Sequence, residues 1–453
     1  MMAAIRLETT GPTLSSRNLA ILHLAMYDAV NSVTRSAQPY SVQMELKGDT
    51  SASAAAAAAG YEAMRALYPS LSGGTEILYE TQLESLGASL AVTNGLLLGR
   101  DVARAMLELR AGDGSSTLVP YIPSAEPGQW RRTPPFFRPP LDPHWGFVKL
   151  FALPNTGSFI PPTPPSIAGP EYGRAFNQVK QLGSKQSLVR TKEQTEIAVF
   201  WSDFSYTVMP PGHWHEIAAS IMRQAGYGLD DCARLFALIG LAQADSAIVC
   251  WATKFRYNTW RPSTAIERAD EDSNPETAAD KTWSSLLNAP PFPEYTSGHS
   301  TFSSASSQVL ARFLGSDAIA FSASSDSLPG VTRSFTSLAA CTEEIGMSRI
   351  YGGIHFEFGN REGKKSGAKI GNFVGANYLL LNEQLPTAWV EESSGAGVRV
   401  RVHGHLGKEC QLEASDDLVT WEVIGSGLAR IGGFVLTDAV SQQSGRFYRV
   451  FER

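Results

Sequence analysis

Lys254 and Arg261 stand seven residues apart, Ser297-Gly298-His299 follow as a hydroxyl, a glycine and an imidazole, and Arg349 precedes His355. Three permanent cations and two imidazoles within about a hundred residues suit one ligand above others, a tetrahedral oxyanion. A spacing of seven is two helical turns, which places Lys254 and Arg261 on one face of a helix predicted from Leu229 to about Trp260. Like charges so close repel unless an anion lies between them. Trp251, Phe255, Tyr257 and Trp260 around the pair point to a partly buried face. Ser297-Gly298-His299 opens a helix of small residues, where free N–H groups favour an oxyanion and glycine allows close backbone approach. His299 could exchange a proton with the ligand's outer oxygen near neutral pH. Singly, each motif has a plainer reading: a solvated helix face, an N-cap with an incidental histidine, or, for His355, a satisfied core histidine. Five basic groups brought together without a ligand would be electrostatically costly.

The elements that must position these groups are helical. Helices are predicted after Ser15-Ser16 and over Ala52 to Leu67, Thr75 to Leu90, Leu96 to Leu109, Glu171 to Leu182, Lys192 to Phe204, His213 to Gln224, Thr301 to Phe313, Leu338 to Ile350 and Gly363 to Leu381. Between Gly112 and Pro170 the pattern changes, because fourteen of the 26 prolines fall there together with Trp130, Phe136, Phe137 and Trp145. That segment reads as an ordered wrap, either lining the pocket entrance or serving as a belt on the helices. After Pro386 the alternation Val398-Arg-Val-Arg-Val402 and the run Phe447 to Phe451 predict a small β domain. The expectation is a mainly α fold, a helical-bundle domain over 1–385 with a β-sandwich-like accessory domain over 390–453 that serves for attachment or packing. The stretch Gln411 to Trp421, closing with Arg446-Phe-Tyr-Arg449, resembles β modules appended to secreted bacterial proteins.

A net charge of -6 with pI near 5.8 argues against a general nucleic-acid or anionic-membrane binder, so anion recognition must be local. Four scattered cysteines form no CxxC pair and indicate neither structural zinc nor a dense disulfide framework. With no run of eighteen apolar residues, no transmembrane helix is expected. His213 and His215, two apart, would not share a helix face and are expected to be structural, and His403 and His405 are expected at the surface.

Lysine, six residues, Arg-Pro; Ser-Gly-His; then Ser-Arg, five residues, His: this order resembles the three-part signature of the vanadium-dependent haloperoxidases and of the acid and lipid phosphatases in the type 2 phosphatidic acid phosphatase/haloperoxidase superfamily. The similarity extends to Trp251, to Asp203 in Phe200-Trp-Ser-Asp, to Pro210-Pro-Gly-His-Trp214, to Gly128 through Pro135 and to His23 through Ala29. It covers about residues 15 to 383, is strongest toward the bacterial branch, and leaves out the β domain. The resemblance implies that His355 bonds vanadium or, in a phosphatase, attacks phosphorus. Lys254, Arg261, Ser297, the Gly298 N–H and Arg349 would hold equatorial oxygens, and His299 would be the acid-base group. Vanadate mimics the phosphoryl-transfer transition state, so one pocket suits both chemistries, and phosphate could occupy it. Phe292 stands where chloroperoxidases carry phenylalanine and algal bromoperoxidases histidine, which leans toward halide oxidation by hydrogen peroxide, with a small organic acceptor as partner. The alternatives are a vanadate-inhibited phosphatase and a non-catalytic anion-binding member. A homodimer is compatible with the family, and a secreted or periplasmic location is implied although Met1 to Thr10 carries no signal pattern. One position departs from the pattern: four residues after His355, where the family has aspartate, this chain has Gly359. A carboxylate there would fix the histidine's tautomer. Glu357 and Asp203 are the candidates to supply one, Asp203 being better matched to Lys254 or Arg261.

Overall fold

The computed structural model describes residues 1–46, 48–382, 386–394, 397–404, 408–429, 433–439 and 446–452. The helices among them are α1 (Met2–Leu7), α2 (Pro12–Thr34), α3 (Ala52–Leu67), α4 (Ser72–Leu86), α5 (Leu90–Arg110), α6 (Pro170–Leu182), α7 (Lys192–Phe200), α8 (Met209–Ala225), α9 (Leu229–Tyr257), α10 (Pro262–Glu267), α11 (Gly298–Leu314), α12 (Leu338–Tyr351) and α13 (Glu357–Asn377). The strands are β1 (Phe321–Ser324), β2 (Thr332–Phe335), β3 (Thr387–Ser394), β4 (Gly397–His403), β5 (Glu409–Ser415), β6 (Glu422–Leu428), β7 (Phe434–Asp438) and β8 (Phe447–Glu452).

A long helix apolar on every face must be enclosed, and α9 is that helix. By length and composition it could cross a membrane, yet 89% of its most apolar window is buried inside this fold. Around it pack α2, α8, α11 and α13, their buried residues forming one continuous core with Trp214, Trp251, Phe302 and Ile345. The approach of α13 to α11 follows from glycine spaced by four. A Cβ at Gly363, Gly367 or Gly371 would meet the carbonyls of Ser297, Thr301 and Ala305 at 2.9, 2.2 and 2.3 Å. Only bare backbone lets the two helices come this close, and the N-terminus of α11 is thereby held against the start of α13.

Several boundaries differ from the sequence expectation, each for a local reason. Helix α2 begins at Pro12, favourable at a first helical position, so Ser15 and Ser16 lie inside it and bond back to the Thr10 and Thr13 carbonyls. Helix α7 stops at Phe200, and Asp203 takes a left-handed φ of 43° in the loop beyond. Helix α9 ends at Tyr257, because Asn258 adopts a left-handed C-cap at φ 50°. Arg261 therefore does not share that helix with Lys254; it is the N-cap of α10, with Pro262 at its first turn. The hairpin β1–β2 was not foreseen, its Phe-Ser-Ala-Ser strand being too short and polar to read as one.

The proline-rich wrap is stitched down by polar groups rather than by regular structure. Buried Asp245 on α9 accepts from the N–H groups of Phe151, Ala152 and Leu153 at 2.7 to 2.8 Å. Farther along, Trp130 N donates to the Asn258 carbonyl, Trp260 N to Gly128 and Leu141 N to Pro291. The chain end forms two three-stranded antiparallel sheets, ordered β3-β4-β7 and β6-β5-β8, around Val400, Val402, Cys410 and Leu412. Gly425 lies within β6 beside the register shift at Leu412. His403, expected at the surface, is buried and stacks on Trp389 with centroids 4.5 Å apart, while His405 lies outside the described residues.

Candidate functional site

The break between α9 and α10 does not separate the two cations, because both grip the loop before α11. Lys254 Nζ donates to the carbonyls of Pro293, Glu294 and Thr296, the first two at 2.9 and 3.0 Å. Arg261 Nε donates to the Phe292 carbonyl at 2.9 Å and Nη1 to Ile354 at 2.8 Å, and Nη1 also lies 3.1 Å from His355 Nε2. With all three protons committed to carbonyls, Lys254 would act on an anion through its charge. Spare donors come from the guanidinium groups: Arg261 Nη2 and Arg349 Nε and Nη2 are buried without a hydrogen-bond partner among the described residues, while Arg349 Nη1 donates to the Trp201 carbonyl at 2.7 Å. Ser297 caps α11, accepting from Ser300 N, and Gly298 is that helix's first residue, so its N–H has no acceptor within the helix. Unmatched buried donors are expensive unless a ligand meets them, and an oxyanion such as vanadate or phosphate would.

The carboxylate missing at position 359 is supplied from this same loop. Glu294 Oε1 lies 2.7 Å from His355 Nδ1 and accepts from Phe356 N at 3.1 Å. Neither expected candidate does this: Glu357 pairs with Arg361 and Asp203 with His213. Gly359 explains the arrangement sterically, since a Cβ there would meet Glu294 Oε1 at 2.2 Å. A side chain on α13 at this position would push the Glu294 carboxylate out of its present place. With the carboxylate ionised, Nδ1 carries the hydrogen and Nε2 presents its lone pair beside Arg261.

On the other side, His299 Nε2 lies 4.0 Å from Asp203 Oδ2. The expected pairing of Asp203 with Lys254 or Arg261 is not found. Those cations face the loop, and the left-handed backbone at Asp203 turns its carboxylate to His213 Nδ1, 3.1 Å away. His215 takes a separate place, stacked on His23 at 5.0 Å and bonded to the Pro211 carbonyl.

Burial dominates the electrostatics. It pushes Lys254 down to about 7, Arg261 to about 10 and Arg349 to about 9, and lifts Glu294 to about 7 against the pull of Lys254 and Arg261. His355 falls well below the ordinary imidazole value through burial, then through Arg261, Lys254 and Arg349. His299 falls likewise through burial, then Arg349 and His213. Both rings are thus neutral at neutral pH, and three cations outnumber two carboxylates. A bound anion would restore the three cations toward their ordinary values.

A cavity of about 360 Å³ opens onto Gly298, His299, Arg349 and His355. Pro139, Pro140 and Leu141 of the wrap, Met209, Trp251 and Phe292 form its apolar walls. Phe292 packs on Trp251 at 4.9 Å, with Lys254 Nζ and Arg261 Cζ 4.9 and 5.0 Å from its ring centre. Glu294 and His213 were not legible as site residues. The glutamate sits inside the Pro290 to Ser297 approach to the helix, a hint of proximity, whereas nothing in the spacing of His213 pointed to Asp203.

A family model described as the VCPO second helical-bundle domain matches residues 234–382. The vanadium chloroperoxidase of Curvularia inaequalis is 27% identical over 385 residues, spanning 67% of this chain and 61% of that relative. A solved structure of a bacterial vanadium-dependent iodoperoxidase superposes with a TM-score of 0.72 at 26% identity, covering 85% of this chain and 95% of its own. The holo form of a bacterial vanadium-dependent chloroperoxidase shares the fold, with a TM-score of 0.65 at 18% identity over 81% and 92% of the two chains. With its helical bundle and the order of its basic motifs, the chain is similar in sequence and fold to the vanadium haloperoxidases, and its residues 234–382 match their second helical-bundle domain.

Proposed function

We propose that this chain binds orthovanadate and uses hydrogen peroxide to oxidise a halide to hypohalous acid. The observation that carries the reading is the set of buried guanidinium donors on Arg261 and Arg349, partnerless among the described residues, around a neutral His355. His355 Nε2 would bond vanadium, Arg261, Arg349, Ser297 and the Gly298 N–H would hold its oxygens, and Lys254 would supply charge. Bound vanadate supplies the Lewis-acidic centre at which peroxide is activated. His299, neutral at rest, would take a proton from an incoming peroxide and return it to a departing oxygen. Trp251 and Phe292 would cover the cationic side of the pocket with apolar surface. The cavity of about 360 Å³ exceeds what peroxide and a halide fill, given about 30 Å³ per water-sized molecule, and leaves room for a small organic acceptor.

A second reading, a phosphatase with His355 as nucleophile, draws on the same Glu294 bond, which keeps a lone pair on Nε2. Reconstitution with orthovanadate, followed by halide-dependent halogenation of monochlorodimedone beside hydrolysis of p-nitrophenyl phosphate, separates the two. Halogenation is expected. Vanadate binding without halogenation would overturn the first reading, and absence of both activities would leave an anion-binding protein. The sheets beyond residue 386 are proposed as an accessory unit for attachment; deleting them should leave vanadate affinity intact.

A further inference from the structure

We propose that His213 is a positioning residue, holding the Asp203 carboxylate between His299 and Arg349 so that oxyanion binding depends on a ring outside the cavity. The inference rests on the oxyanion reading of the site. Asp203 stands in a loop at a left-handed φ of 43°, a conformation uncommon for a non-glycine residue though tolerated by aspartate, and its side chain is bonded from outside the loop. His213 provides its hydrogen-bonded side-chain partner, with Nδ1 at 3.1 and 3.3 Å from the two carboxylate oxygens. That leaves Oδ2 on the side of His299, 4.0 Å away. The anchor is rigid. His213 lies on α8, is 3% exposed, and packs against the Trp201 ring at 4.8 Å. Trp201 in turn gives its carbonyl to Arg349, so ring, carboxylate and guanidinium form one packed unit.

The charged and polar groups facing His213 are Asp203, Glu216 on its own helix, the Ser324 carbonyl from β1 and, more distantly, His299. Burial opposes a charged ring at 213, but the Asp203 charge and hydrogen bond outweigh it and raise the group above its ordinary value. His213 therefore also tempers the negative charge that Asp203 shows to its neighbours. His213 itself is absent from the cavity wall, whereas Asp203, His299 and Arg349 line it.

The test is a double-mutant cycle on orthovanadate affinity, measured calorimetrically on the full chain with thermal unfolding as the check on folding. His213→Leu should weaken vanadate about tenfold, and His213→Asn, which keeps a donor near Nδ1, should recover most of that loss. The pair Asp203→Asn with His213→Leu should bind no more weakly than Asp203→Asn alone, because the ring acts through the carboxylate. Should the leucine variant fail to fold, the cycle is run with His213→Ala, whose loss must again vanish on the Asp203→Asn background. Additive losses, or equal losses for leucine and asparagine, would overturn the inference while leaving the site's function standing. A wild-type chain that bound neither vanadate nor phosphate would overturn the functional reading and this inference with it.

Discussion

His355 and His299 border the same cavity, and a carboxylate stands beside each, at 2.7 Å in one case and 4.0 Å in the other. Glu294 is fully buried and bonds His355 directly, which in its ionised form fixes the tautomer and leaves one nitrogen committed outward. Asp203 is itself held by His213 and only overlooks His299. The first arrangement suits a group that must present one lone pair without moving; the second suits a group that must gain and lose a proton. Equal residue types thus acquire unequal work from the geometry of their carboxylates.

The sharpest way to break this contrast is to remove each ring. His355→Ala should abolish halogenation, a loss of about a thousandfold or more in kcat with vanadate affinity falling alongside, whereas His299→Ala should cost about a hundredfold, chiefly in kcat. Equal losses in both parameters for the two variants would contradict the division of roles. Next in size, Glu294→Ala should lower vanadate affinity about 10- to 100-fold. Gly359→Asp alone should destabilise the fold by about 1 to 3 kcal/mol through the clash with Glu294, read as a lower denaturant midpoint. The two changes together should bind vanadate better than Glu294→Ala does, and failure to do so would separate Gly359 from the carboxylate's placement. Smaller still is a pH effect. Lys254, at about 7 without a ligand, attracts an anion only when protonated, so its share of vanadate affinity should be full below that pH and decline as pH rises through it. Glu294, lifted to about 7, loses its charge as pH falls through the same value and narrows the optimum to near neutrality. His355, held well below its usual value, should add no loss on the acid side until well under pH 6.5. Calorimetric titrations between pH 5 and 9 would check both limbs.

The long apolar helices were legible because their periodicity and caps are local properties. Ser51 and Ser337 cap α3 and α12 as such residues do, and the core helix α9 announces itself by composition. Its end was not legible, because Asn258 stops it with a left-handed turn whose amide neighbours bond to the distant wrap. Lys254, Arg261, Ser297, His299, Arg349 and His355 came together although the helix thought to align two of them is broken, since loop carbonyls do the aligning. Glu294 escaped notice for a physical reason: sixty-one residues separate it from His355, and only the folded approach of the loop to α13 brings them within a hydrogen bond. The two-residue spacing of His213 and His215 correctly separated their faces, yet could not show that one face meets Asp203.

The contact between the Glu294 carboxylate and the bare backbone at 359 also bears on descent. A chain with aspartate on α13 that acquires the loop glutamate first must hold the new carboxylate away from the histidine, and one that loses the aspartate first leaves its histidine unsupported. Any lineage passing between the two forms crosses an intermediate that is either strained or weak. The two sites should therefore vary together among relatives, aspartate at 359 accompanying a short or uncharged residue at 294, and glycine at 359 accompanying glutamate.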